Sequence, residues 1–117
     1  MFVRKAQQSV TYMENAFGGK GRIESRNFLE IADAAGSGRK FAVNTIQPGD
    51  SLGYHAHNGE FEVYYILEGT AKIVEDGQEY LLYKGDMMQC KSGSSHSIEN
   101  VGTTPLEHLA LIIYNRD

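Results

Sequence analysis

Beyond residue 22, short apolar and alternating runs are broken by Gly, Pro and Asp-Gly punctuation. This pattern predicts strands over 23–29, 41–46, 54–57, 61–67, 71–74, 80–83, 87–90, 96–100 and 106–114. The run 61–67, Phe-Glu-Val-Tyr-Tyr-Ile-Leu, is the richest in aromatic and β-branched residues, the types that fit a pleated, half-buried surface. Asp76-Gly77 is a hairpin signal, because both central turn residues must take positive φ. Pro48-Gly49 presets another turn. Turn signals recur roughly every 8–12 residues, the spacing of an all-β sandwich or barrel. Residues 1–20 read two ways. Val3, Ala6, Val10, Met13 and Phe17 follow the 3,4 spacing of a short amphipathic helix, and an extended arm fits as well.

The chain has 117 residues, the size of one domain over 1–117, with the barrel core expected over 40–114. A hydrophobic share of 41% with 13 glycines excludes disorder and fibrous architectures and suits strands joined by tight turns. The net charge is −4 and the basic residues are scattered, so no footprint for nucleic acid or an anionic membrane is present. No apolar run is long enough for a transmembrane helix, and the opening residues lack the apolar stretch of a secretory signal. Cys90 is the one cysteine, which precludes an internal disulfide and makes the reducing cytoplasm the expected location.

The chemistry concentrates in histidines. There are four, His55, His57, His96 and His108. His55 and His57 are two apart on an expected strand and so share a face. Glu62 begins the next strand, which an antiparallel return brings back beside the pair. In a closed barrel His96 can join them. Three imidazole nitrogens and one carboxylate oxygen suit a divalent first-row transition metal (Fe, Mn, Ni, Zn or Cu) and do not suit calcium or Cu(I). A His-x-His pair is also a common surface or hydrogen-bonded core feature. Glu60, two residues before Glu62, is a rival ligand.

Gly49-x5-His55-x-His57-x4-Glu62-x6-Gly69 matches every fixed position of the first signature of the cupin superfamily, and Gly85-x5-Lys91-x-Gly93-x2-His96-x3-Asn100 matches four of five in the second. Lys91 stands where the family usually has proline. The chain thus resembles a small single-domain microbial cupin over residues 49–100. The resemblance implies a double-stranded β-helix, or jelly-roll barrel, with one metal held by His55, His57, Glu62 and His96. It implies a structural role for Asn100 near the barrel end, and a homodimer formed by exchange of edge strands.

The remaining candidates are weighed against packing. Tyr64 and Ile66 share the parity of Glu62 and should face the interior; Tyr64 is the one candidate for contact with a metal-bound oxygen. Met87 or Met88 should also reach inside. His108 lies outside both motifs, and Cys90 reads as buried and inert. Ser94 and Ser95 have no His–Asp relay, which argues against a serine hydrolase. The expected function is a metal-dependent enzyme, such as a dioxygenase, decarboxylase or isomerase, acting on a small organic acid, diketone, phenol or sugar. The alternative is a binding or sensing module that uses the metal to hold a small-molecule ligand.

Overall fold

The structure is a computed structural model and describes residues 1–116. The strands are β1 (Ser9–Glu14), β2 (Arg22–Asn27), β3 (Gly38–Ile46), β4 (Ser51–Ala56), β5 (Glu60–Glu68), β6 (Ala71–Glu75), β7 (Gln78–Leu82), β8 (Met87–Cys90), β9 (Ser95–Asn100) and β10 (Leu106–Tyr114). They form a six-stranded sheet in the order β1-β2-β3-β10-β5-β8 and a four-stranded sheet in the order β4-β9-β6-β7. From β3 onward the chain alternates between the two, with only the β6–β7 hairpin staying on one sheet. That winding is an all-β, jelly-roll double-stranded β-helix.

Alternation along the strands builds the core. Every second residue of β9 and β10 is buried, as the period-2 pattern requires. Ile23, Ile46, Tyr64, Ile66, Ile73, Ile98 and Leu106 pack between the sheets. Met88 points in and Met87 out, which settles that pair. The fixed glycine Gly69 has φ +94°, and a Cβ there would press on the Leu106 Cα at 3.0 Å. Asn100 is buried at the barrel end, where its amide donates to the carbonyls of Ile46 and Thr104 and its Oδ1 accepts from the Gly102 N–H. The turn that carries Lys91 closes by a bond from the Ser94 N–H to the Lys91 carbonyl at 3.0 Å.

The N-terminal segment departs from the amphipathic-helix reading. Ser9–Glu14 is a strand, paired residue by residue with β2 from Ser9 opposite Asn27 to Glu14 opposite Arg22. Only single 3-10 turns form, at Lys5–Gln7 and Ala16–Gly18. The apolar residues that match helical spacing here belong to a β-rich sequence beside an open sheet edge, and ladder bonds to β2 replace a helix too short to stand alone. Another 3-10 turn, Ile31–Ala34, interrupts the run that the sequence leaves as loop. Among the described residues no helix is long and apolar enough to cross a membrane.

Candidate metal centre

Four side chains meet between the two sheets. His55 lies on β4, and His57 sits just past its end, one residue beyond the strand that sequence extends to it. His96 is on β9, directly opposite His55 in the ladder. Glu62 comes from β5 on the other sheet. The loop holding His57 is pinned on both sides: its N–H donates to the Ser94 carbonyl, and its carbonyl accepts from the Gly93 N–H.

The Nε2 of His57 lies 3.1 Å from that of His96, and the Nε2 of His96 lies 3.1 Å from that of His55. Glu62 Oε1 is 3.1 Å from the Nε2 of His57 and of His96, and 3.9 Å from that of His55. Metal–nitrogen bonds of about 2.1 Å put adjacent ligands about 3.0 Å apart and opposite ones about 4.2 Å. The four atoms fit those spacings around a single ion.

The outer ring nitrogens explain why lone pairs converge. His55 Nδ1 is 2.7 Å from the Gly53 carbonyl, an acceptor only, so the proton is on Nδ1 and Nε2 offers its lone pair. His57 Nδ1 is 2.6 Å from Glu60 Oε2 and is held the same way. Glu60 in turn takes a two-pronged pair from Arg39, at 2.8 Å on each oxygen. That guanidinium, with His57, keeps the Glu60 carboxyl below its usual range. Glu60 therefore stands behind His57 and outside the cluster, while Glu62 is in it. At least two imidazole lone pairs and a carboxylate oxygen face one another in a buried site, an arrangement that repels itself unless a cation sits at the centre.

The electrostatics agree. Burial pushes the Glu62 carboxyl up, but the imidazoles of His55, His57 and His96 beside it outweigh that and hold the group well below its ordinary value. The adjacent Glu62 carboxylate raises His57, against burial and with help from Glu60. Burial lowers His96 despite Glu62. The donor set of three imidazoles and one carboxylate can hold a divalent transition metal.

Other predicted residues fall where packing puts them. Tyr64 is fully buried, its ring stacked on His96 at 4.9 Å, and its hydroxyl finds no hydrogen-bond partner. Burial, with Glu62 nearby, holds that hydroxyl protonated. His108 is fully buried outside the four-residue group, edge-on to Tyr64 at 4.4 Å, and burial drops its pKa to about 4. Cys90 is a buried thiol pushed up to about 12 by burial. Tyr54 and Tyr65 lie on the surface.

Phe17 is the residue that sequence reasoning assigned to a helix face and missed at the site. Its ring stacks on His55 with centroids 4.5 Å apart and planes 20° from parallel. Its φ of +54° is unusual for an aromatic residue and aims the ring at the site. Nothing local in the sequence signals it, since the contact joins the N-terminal segment to β4.

Comparison with known proteins agrees with this geometry. The family model for the cupin domain matches residues 42–112. A Thermotoga maritima protein named Oxalate-binding protein is 42% identical over 113 residues, spanning 97% of this chain and 93% of that one. A crystal structure from Thermotoga maritima, described as a "predicted oxalate decarboxylase", superposes with a TM-score of 0.93 at 41% identity and covers 98% of this chain and 100% of that chain. Mannose-1-phosphate guanylyltransferase of Escherichia coli is 30% identical over 112 residues, which are 89% of this chain and 23% of that enzyme. Matched motifs, a two-sheet β-helix and a His/Glu cluster between its sheets lead to one conclusion: the chain belongs to the cupin family.

Proposed function

We propose that this protein binds one divalent first-row transition metal through His55, His57, Glu62 and His96, and uses it to hold a small organic acid. Oxalate is the first candidate. The observation that carries the metal is the approach of three Nε2 atoms and Glu62 Oε1 within a single ion's ligand spacings. The ligand class is supported by the relative named Oxalate-binding protein, alike over nearly the whole chain. A metal with four protein ligands retains coordination positions for carboxylate oxygens and supplies Lewis acidity there.

The chain's own residues do the rest. Gly53 and Glu60 fix the tautomers of His55 and His57. Arg39 holds Glu60 ionised, and the Phe17 ring shields the outer face of His55 from water. The second reading is catalysis on the bound acid, such as decarboxylation. A protonated Tyr64 hydroxyl without a partner favours it, as a group able to donate to an oxygen in the site. The proposal includes a homodimer paired through an edge strand, the outer strands being β1 and β8 in the larger sheet and β4 and β7 in the smaller.

The first experiment is plasma mass spectrometry on untagged protein purified without chelator, followed by calorimetric titration with oxalate. One equivalent of metal and saturable oxalate binding are expected. Protein that contains no metal and refuses added metal overturns the reading. Oxalate turnover separates catalysis from binding alone.

A further inference from the structure

Lys40 lies on β3 with its side chain directed inward, and its ammonium donates to Ser25 Oγ at 3.0 Å. Ser25 is fully buried and donates in turn to Asn44 Oδ1, also buried. No carboxylate pairs with Lys40 among the described residues, so two of its three donors and its whole charge lack an anionic partner. Lys40 is half-buried, and a cation drawn partly out of water gains from an anion that reaches it. Burial lowers its proton affinity, and the charge of Glu62 opposes that shift.

The register shows how close the two groups are. Ile112 pairs with Lys40 on one side and with Glu62 on the other, so both belong to one row of the sheet and point to one face. Two strand spacings separate them, about 10 Å between backbones, with the buried Ile112 in the same row between them and the Lys40 ammonium resting on Ser25 of β2. The next inward row carries Ala42, Ala110 and Tyr64. Two methyl groups leave the floor shallow beneath the Lys40 side chain. Around that floor two buried polar atoms have no partner, Tyr64 Oη and His108 Nε2. His108 Nδ1 faces the Leu109 carbonyl at 3.1 Å, so its Nε2 is a bare acceptor. Toward an anion, the wall therefore offers a hydroxyl donor and a cation that lacks an anionic partner.

We propose that Lys40 is the specificity-determining residue of this site: it holds a carboxylate oxygen of a small dicarboxylate dianion that also engages the metal centre. This rests on the proposed metal and organic-acid function and names the charge class of the ligand. A divalent ion, the Glu62 carboxylate and three neutral imidazoles sum to one positive charge, and Lys40 brings the interior to two. A dianion neutralises it; a monocarboxylate leaves Lys40 unpaired.

The test is calorimetry of Mn(II)-loaded protein with oxalate, malonate and acetate, for wild type, K40M and K40R. Wild type should bind the dianions at least tenfold tighter than acetate. K40M should weaken the dianions about 10- to 100-fold, the loss of one charge-assisted hydrogen bond. It should leave acetate within about twofold and the Mn(II) content unchanged, and K40R should restore most of the preference. K40Q serves the same comparison if K40M does not fold. A variant without the charge that keeps the dianion preference overturns the inference while leaving the metal and acid reading intact. Equal weakening of acetate and dianions also overturns it, as the mark of a merely structural lysine. Wild-type protein that holds Mn(II) and binds no carboxylate overturns the underlying reading and this inference together.

Discussion

His57 has a carboxylate on each ring nitrogen, Glu60 at 2.6 Å outside and Glu62 at 3.1 Å inside. The first fixes the tautomer and the second shares the proposed metal position, so the two carboxylates have different consequences when removed. His57→Ala should drop metal content from one equivalent to under about a tenth, while His108→Ala should leave it near one. Equal metal in the two variants would refute the ligand assignment. Glu60→Gln should keep the site but weaken metal affinity roughly 10- to 100-fold, read by competition with a chromophoric chelator. His108 makes a separate prediction about stability. Its pKa is about 4 when folded and about 6.5 when unfolded, so between those values the unfolded chain binds the extra proton. Stability due to this group is full above the unfolded value and falls as pH drops. Metal-free protein should lose about 2 kcal/mol from His108 between pH 7 and 5 in urea unfolding, and His108→Leu should remove that component of the slope. Glu62, Tyr64 and the His-x-His pair were legible at this scale, because motif spacing and strand parity both report side-chain direction. The role of Glu60 was not: parity puts it on the same face as Glu62, and only the position of Arg39 draws it behind His57.

The strand β4 is the element that assembles the centre, and it is clamped from outside by the N-terminal turn Ala16–Gly18. Lys20 and Ser51 exchange both backbone hydrogen bonds, at 3.1 and 2.8 Å. Gly53 is in contact with Phe17 and Gly19 so closely that a Cβ there would overlap the Phe17 carbonyl. Gly53 also supplies the carbonyl that orients His55, so one glycine links the clamp to a proposed metal ligand. Gly53→Ala should therefore cost about 1–3 kcal/mol as an overpacked contact and lower metal affinity as well. Phe17→Ala should cost about 1 kcal/mol by loss of the stacked pair, with metal content retained. Thermal unfolding with and without metal distinguishes the two. The clamp was invisible in sequence, where positions 3 to 17 fit a helical period. Helical spacing is a local property, and the partners in β2 that capture β1 run from Arg22 opposite Glu14 out to Asn27 opposite Ser9, beyond the reach of a helical turn.

At the scale of the molecule, His55, His57 and His96 belong to the four-stranded sheet and Glu62 to the six-stranded one, so a metal would tie the sheets together. Because the ion binds the folded form, saturating it at about 100 times its Kd adds about 2.7 kcal/mol, a rise in Tm on the order of 10 °C for a domain of this size. Chelation should reverse the rise, and a Tm indifferent to both metal and chelator would argue against an ion between the sheets. The amino-acid sequence by itself determined the strands from β2 onward, the inward parity of Tyr64 and Ile66, and the four residues able to form a ligand set. Those follow from a two-residue side-chain period and from glycine spacing, which act over a few residues. Only the tertiary structure decided that Glu60 stands behind His57, what covers His55, and that Lys40 shares a row with Glu62. Each of those depends on contacts between strands far apart in sequence, whose register is fixed by packing two sheets face to face.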